Sequence, residues 1–542
     1  MLAPFMGTFT PIPLGQPIPD LRHAVSCSLP TMRDVRGYEE KDPATVRHLA
    51  SGYPRFVVHP YVRQLAVHLG ARWKLVGQIV WLAASARLAD EVFRHLASPA
   101  AVRFSEEGLH GVVTPEFSDL AVKAKAFLQH TGGFLSARAA EDCLVRLGVL
   151  PAVEAETLWK GDAAAEIRRC LRPAFPDARD EDFFLTANGM NAVYSAFRAV
   201  ALPQAARGRT VWVQLGWLYL DTIAILKKFT AGPGNHVAVV NVNDRAALER
   251  LFADQGARIA GVLTEVPTNP LIQTPDVPWL AELVRRHGAR LILDASVASP
   301  LGVALLPHAD IVVASLTKYA ASEGDVIAGL AVVNPAGADA PALRAALAAG
   351  VEPLYPREAS RLASQIGRMP EVLARIEAGV PRIVEFLEKH PAVARVYWAK
   401  QPATAAAFAK VACTLAATGC MLSFELRVPM DRFYDAVRLP KGPSFGMTTT
   451  LLCPFIQLAH YDLVTSESGR AELAAAGVIV SGVTGAAFRM VGPVYGLYIG
   501  LNPHEIGIFL SAYVLGGAVA QFPVGWLADK FDLRSVLVGL SL

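Results

Sequence analysis

The sequence predicts an α/β fold, with a mostly parallel sheet flanked by helices and a smaller α+β part behind it. Three observations predict it. From Phe183 onward, short apolar runs alternate with amphipathic helical patterns: TVWVQL then DTIAILKKF, HVAVVNV then DRAALERLFADQ, IAGVLTEV then VPWLAELVRRHG. The runs ARLILDAS, ADIVVASL and IAGLAVVN follow. Runs that are apolar throughout belong to strands buried on both faces, the situation in a sheet covered by helices. Second, 542 residues exceed what one ordinary core needs, so more than one domain is expected. Third, helical periodicity resumes after Pro341, with only VARVYWAK and GCMLSFEL reading as strands.

Taken in order, residues 1–60 are punctuated by prolines and read as an N-terminal arm. Residues 61–340 form the α/β domain. It opens with a stretch, Tyr61 to Phe175, whose apolar spacing in VRQLAVHLGARWKL and QIVWLAASARLADEVFRHL predicts mostly helix. Residues 341–477 make the smaller α+β domain. The last segment, 478–542, differs: Ile506 to Ala528 carries no charge and is long enough as a helix to span about 30 Å of hydrocarbon. With Gly477 to Leu501, which carries only Arg489, it predicts a transmembrane helical hairpin.

Composition narrows the function. Lys and Arg number 51 against 48 Asp and Glu, a net charge of +3, which gives no argument for nucleic acid or another polyanionic partner. Hydrophobic residues make up 53% and the mean hydropathy is +0.33, matching a large alanine-rich core or a lipid-facing part. The six cysteines are scattered with no CxxC pair, so neither a metal site nor a disulfide framework is expected. The N-terminus has no basic segment and is broken by prolines, unlike a signal peptide.

Chemistry-bearing residues fall where apolar runs end. In open parallel sheets ligands bind at the carboxyl ends of strands. FFLTANGMNAVYSAF places Asn188, Gly189 and Met190 between a run and a helix, where free backbone N–H groups suit a phosphate. Taken singly, that Asn-Gly turn reads as a connector. LTEVPTNP brings Glu265, Thr268 and Asn269 to another strand end, or forms a rigid loop. Asp294 ends LILDAS, where a carboxylate needs a partner such as a protonated ring nitrogen, or serves as a helix cap. In VVASLTKY, Ser315 and Thr317 can donate to a phosphate, and Lys318 is an amine able to condense with a carbonyl. Together, in this order, they describe pyridoxal phosphate chemistry.

The run SLTKYAASEGDVIAG resembles the lysine signature of the Cys/Met-metabolism pyridoxal-phosphate enzymes, the cystathionine γ-synthase group of fold type I. The order TANGMNA, EVPTNPL, LDAS, SLTKY follows that family's order. SGYPRFVVHP resembles its N-terminal Tyr-x-Arg segment in fungal-type form, and GPSFGMTTTLLCPF its late substrate loop. The resemblance spans Leu14 to Val478. It implies that Lys318 holds pyridoxal 5'-phosphate and moves protons, and that Asp294 pairs with the pyridine nitrogen. It implies that Gly189, Met190, Ser315 and Thr317 bind the phosphate, and that Asn269 and Ser444 lie near cofactor and substrate. Tyr53 and Arg55 would reach the phosphate of a neighbouring subunit, in a homodimer or homotetramer; the arginine fork suits a phosphate. The implied reaction on small amino-acid substrates is replacement of the γ-substituent of an activated homoserine by cysteine, forming cystathionine. A γ-lyase or a homoserine sulfhydrylase is the alternative within the family.

The sequence departs from the family in several places. The family's ring-stacking tyrosine falls at Leu215, with Trp217 and Tyr219 as aromatic substitutes nearby. Ser322-Glu323-Gly324 stands where Gly-His-Ser is usual. The terminal strand carrying the family's carboxylate-binding arginine is missing; Arg489 lies in apolar flanks instead. GWLADKFDLR, Gly525 to Arg534, resembles a cytoplasmic loop of major facilitator superfamily transporters. The expectation is a cytoplasmic catalytic domain tethered to the membrane through 478–542, and a catalytically impaired fusion is the further alternative.

Overall fold

The computed structural model describes residues 10–51 and 57–475. Two units make up the chain, residues 1–461 and 462–542. The second unit's described part ends in the helix Glu467–Ala475. The expected membrane hairpin, Arg489 and the transporter-like loop lie outside the described residues, as do Tyr53 and Arg55. Among the described residues no helix is long and apolar enough to cross a membrane.

The first unit is built around a seven-stranded sheet. In spatial order its strands are Phe183–Thr186, Gly329–Val333, Ile311–Ser315, Arg290–Asp294, Ile259–Glu265, Val211–Leu215 and His236–Val239. The five from Ile311–Ser315 to His236–Val239 pair in parallel. Gly329–Val333 runs antiparallel to both neighbours. Its apolar run announces burial, but burial on both faces carries no direction. Helix Gly189–Ala206 packs its Ala192, Ala196 and Val200 against the sheet's Ala260, Ile292 and Val313. Small side chains on that helix let it lie close to the strands.

The stretch expected to be mostly helix contains a three-stranded antiparallel sheet, Gln78–Ala83, Leu109–Pro115 and Val102–Glu106. QIVWLA is a strand, and the helix begins only at Ala86, where Ser85 caps the N–H of Leu88. Ser118 and Ser136 cap the next two helices, Asp119–Thr131 and Ala137–Arg146, in the same way. Further along, Val393–Trp398 and Leu422–Leu426 pair as the expected strands, backed by Val380, Val384 and Leu387 of helix Met369–Lys389. The N-terminal residues are packed rather than loose: Cys27, Leu29, Met32 and Val35 form a buried cluster with Tyr434.

Candidate active site

The carboxyl ends of the central strands bring the sequence-predicted residues together. Helix Gly189–Ala206 starts just behind strand Phe183–Thr186, and Asn188 caps it by accepting from the N–H of Asn191 at 2.9 Å. The N–H groups of Gly189 and Met190, in the first helical turn, have no intrahelical acceptor. Glycine is required at 189 by proximity: a Cβ there would lie 2.8 Å from the Cβ of Ser315. The helix terminus and the end of strand Ile311–Ser315 therefore form one cradle of two N–H groups and the Ser315 hydroxyl. Thr317 is buried beside it, and its Oγ1 accepts from the N–H of Ala328 at 3.1 Å.

Lys318 follows the same strand and is 6% exposed. Its Nζ donates to Ser444 Oγ at 2.7 Å and stands 4.6 Å from the centre of the Phe445 ring. Ser444 and Phe445 come from a loop 126 residues further along the chain. That loop is pressed onto the lysine's backbone: Tyr319 N–H donates to Gly446 O at 2.6 Å. A Cβ on Gly446 would meet the Cα of Lys318 at 3.0 Å.

Asp294 ends its strand at the next position in the sheet, buried, with Oδ1 accepting from the N–H of Ser296 at 2.8 Å. Burial pushes its carboxyl up to about 6, against the pull of the Ser296 hydrogen bonds. No Lys or Arg pairs with it among the described residues. Beside it in register sits Glu265, also buried. Burial first, and the charge of Asp294 second, hold the Glu265 carboxyl well above its ordinary range. Glu265 accepts from the N–H groups of Tyr219 at 2.5 Å and Asn269 at 3.0 Å, tying two loops at the strand ends. Asn269 is thereby held, buried, at the same edge.

The aromatic positions separate. Leu215 is fully buried in its strand. The indole of Trp217 donates to His460 Nε2 at 3.0 Å. Tyr219, partly exposed at the start of helix Leu220–Phe229, is the aromatic residue whose backbone Glu265 holds at the site's edge.

These residues fit pyridoxal 5'-phosphate. The cradle offers donors without intrahelical acceptors, and Asp294 is a buried carboxylate that a protonated pyridine nitrogen would neutralise. The Lys318 amine follows Ser315 and Thr317 of the cradle directly in the chain, just past the strand that neighbours Asp294's. Sequence reasoning does not single out Phe445, because its contact with Lys318 depends on tertiary folding. Glu265 is legible as a strand-end carboxylate, but not as a brace.

Fold and site define a pyridoxal-phosphate enzyme of fold type I. Residues 178–478 match the Cys/Met metabolism PLP-dependent enzyme family, and the chain belongs to that family. It is 38% identical over 463 residues to the L-2-amino-4-chloropent-4-enoate dechlorinase/desaturase of Streptantibioticus cattleyicolor, covering 85% of this chain and 92% of that relative. It is 26% identical over 576 residues to the cystathionine gamma-synthase of Neurospora crassa, covering 83% and 92%. Among solved structures it is similar to the cystathionine gamma synthase from Xanthomonas oryzae pv. oryzae in complex with aminoacrylate and cysteine. That likeness has a TM-score of 0.49 and 22% identity, covering 61% of this chain and 86% of that one. None of these comparisons supports the transporter-like reading of 478–542.

Proposed function

We propose that this chain expels a leaving group from the γ-carbon of an L-2-amino acid, with Lys318 as the proton-moving base. The observation that carries it is the buried Lys318 Nζ, oriented by Ser444 and set just past the strand that neighbours Asp294's. Bound pyridoxal phosphate supplies a carbonyl that condenses with amines and a ring that accepts electron density from the α-carbon. Gly189, Met190, Ser315 and Thr317 would hold its phosphate, and Asp294 would keep the ring nitrogen protonated. Tyr219 is the aromatic residue that would stack on the ring in this reading. Lys318 Nζ would take the proton from the substrate α-carbon, pass that proton back to the bound substrate and cofactor, and, neutral again, take one from the β-carbon as the leaving group departs with its bonding electrons; Ser444 Oγ aims the amine for both. Asn269 completes the wall of the substrate space. Tyr53 and Arg55, contributed by a neighbouring subunit of a homodimer or homotetramer, complete the phosphate contacts in this reading. The catalytic unit comprises residues 61–340, with 341–477 as a smaller domain.

After the leaving group departs, two outcomes are open to the same residues. Elimination is favoured by the relative at 38% identity, whose name describes loss of chlorine from position 4, the γ-carbon, of a 2-amino acid. Capture by cysteine sulfur, giving cystathionine, is favoured by the synthase at 26%. Purified protein would be offered 2-amino-4-chloropent-4-enoate, and separately O-acetyl- and O-phosphohomoserine with and without cysteine. Chloride, acetate and phosphate release and the organic products would be measured. The proposal expects Lys318-dependent release of a γ-substituent from at least one. Cofactor-loaded protein that releases none of them would refute it.

A further inference from the structure

Residues 317–328 make a closed loop that carries Lys318 near its start. Its ends are tied: the N–H of Ala328 donates to Thr317 Oγ1 at 3.1 Å, and that of Thr317 to Ala328 O at 3.3 Å. Its middle, Ser322 to Asp325, includes the Ser-Glu-Gly that departs from the family.

The side chains that grip this middle are buried and charged. Asp325 is 4% exposed and uses both carboxylate oxygens. Oδ1 accepts from Gln365 Nε2 at 2.7 Å. Oδ2 accepts from Arg361 Nε at 2.7 Å and from Arg138 Nη2 at 3.1 Å. Arg138 Nη1 also donates to Asp325 O at 2.8 Å. Arg361 Nη2 reaches on to Glu323 Oε2, and Gln365 Oε1 accepts from the Glu323 N–H at 3.1 Å. Arg361 and Gln365 are four residues apart on helix Pro356–Ile366, so one helix face holds both acidic residues. Charge-assisted bonds that satisfy one another fix geometry more firmly than neutral ones.

The gripped middle in turn holds two segments that lead to the site. Ser322 O accepts from the Thr448 N–H at 2.8 Å, four residues past Ser444. Gly324 O accepts from the Val25 N–H at 2.9 Å. The next residue, Ser26, donates its hydroxyl to Pro443 O at 2.5 Å, one residue before Ser444. Both routes run from Arg361 to the loop whose Ser444 Oγ accepts from Lys318 Nζ.

We propose that Arg361 is a positioning residue for the proton transfers of Lys318, holding Asp325 and Glu323 so that the Ser444 loop aims the amine. This rests on Lys318 as the base of the proposed function. A base set slightly off the carbon–hydrogen bond it breaks loses rate without losing the substrate, so the effect falls on kcat.

The test uses cofactor-loaded full-length protein and L-norvaline in deuterium oxide. Norvaline has no group to expel from its γ-carbon, so exchange of its α-hydrogen, followed by proton NMR, reports the base alone. Lys318→Ala should abolish exchange. Arg361→Gln should lower its kcat about tenfold, leave KM within about threefold, and keep the visible cofactor band that borohydride discharges. Arg361→Lys, which lacks the fork that spans both carboxylates, should recover part of the loss. In a Ser444→Ala background, Arg361→Gln should cost less than about threefold, because the contact it positions is gone. Glu323→Gln, at a half-buried side chain, should lower kcat about threefold and serves if Arg361→Gln folds poorly. Full kcat in both Arg361→Gln and Glu323→Gln, equal costs in the two backgrounds, or exchange lost only in step with the cofactor band would each overturn the proposal. So would absence of exchange in the wild type. The expected pattern in a protein that releases no γ-substituent would support the positioning role while refuting the proposed function.

Discussion

Asp294→Asn tests the charge balance at the heart of the site. In the cofactor-free fold the Asp294 carboxyl is raised from 3.8 to about 6 by burial. Ionising it there costs about 3 kcal/mol more than in the unfolded chain, at about 1.4 kcal/mol for each tenfold change in acidity. The folded state keeps the proton up to about pH 6, whereas the unfolded chain releases it near 3.8. Between these values the folded state binds more protons, so stability falls as pH rises and the full cost is reached above pH 6. Removing the charge should therefore stabilise the cofactor-free protein by up to about 3 kcal/mol at about pH 7.5 and by only about 1 kcal/mol at about pH 4.5. Relief of the neighbouring Glu265, raised in part by Asp294, acts in the same direction. With pyridoxal phosphate bound the order should reverse, because the carboxylate then faces a cation that asparagine cannot match, and turnover should fall steeply. Urea unfolding of both proteins, with and without cofactor at the two pH values, measures all of this. A cofactor-free Asn variant whose gain is no larger at the higher pH than at the lower would refute the reasoning.

Lys318→Ala should abolish the visible absorbance band of the lysine-bound cofactor and its discharge by borohydride, and lower turnover by roughly 10²–10⁴; spectra and rates check both. Ser444→Ala removes the acceptor that aims the lysine and should cut kcat/KM about tenfold or more with the fold intact. Gly189→Ala drives a Cβ onto Ser315 and should weaken cofactor retention about tenfold, read by equilibrium dialysis.

The sheet is legible in the sequence because its strands are short, apolar throughout and separated by helices with clear periodicity. The antiparallel placing of Gly329–Val333 is not, since direction is set by partners and not by burial. QIVWLA reads as helix because its apolar residues run straight into ASARLADEVFRHL, and a run that short fits either element until its pairing with Leu109–Pro115 is known. Lys318, Ser315, Asp294 and Gly189 are legible for one reason: each lies at or next to the end of a strand, so local sequence also fixes its place at the sheet edge. Glu265's hold on Tyr219 and Asn269, and Phe445's place beside Lys318, depend on loops meeting across the fold, which residue spacing does not encode.

The loop bearing Ser444 is fastened to the lysine segment by Tyr319 N–H on Gly446 O and Thr448 N–H on Ser322 O at 2.8 Å. Lys318 therefore inherits any displacement of residues 444–448. For protein engineering, the two segments are one heritable module. Exchanging the loop alone with a relative's would change substrate preference and disturb the base together. Transplanting 314–329 with 441–452 would carry the base and its aim across intact. Natural divergence among these enzymes faces the same linkage, so new leaving groups should arise through paired substitutions in both segments.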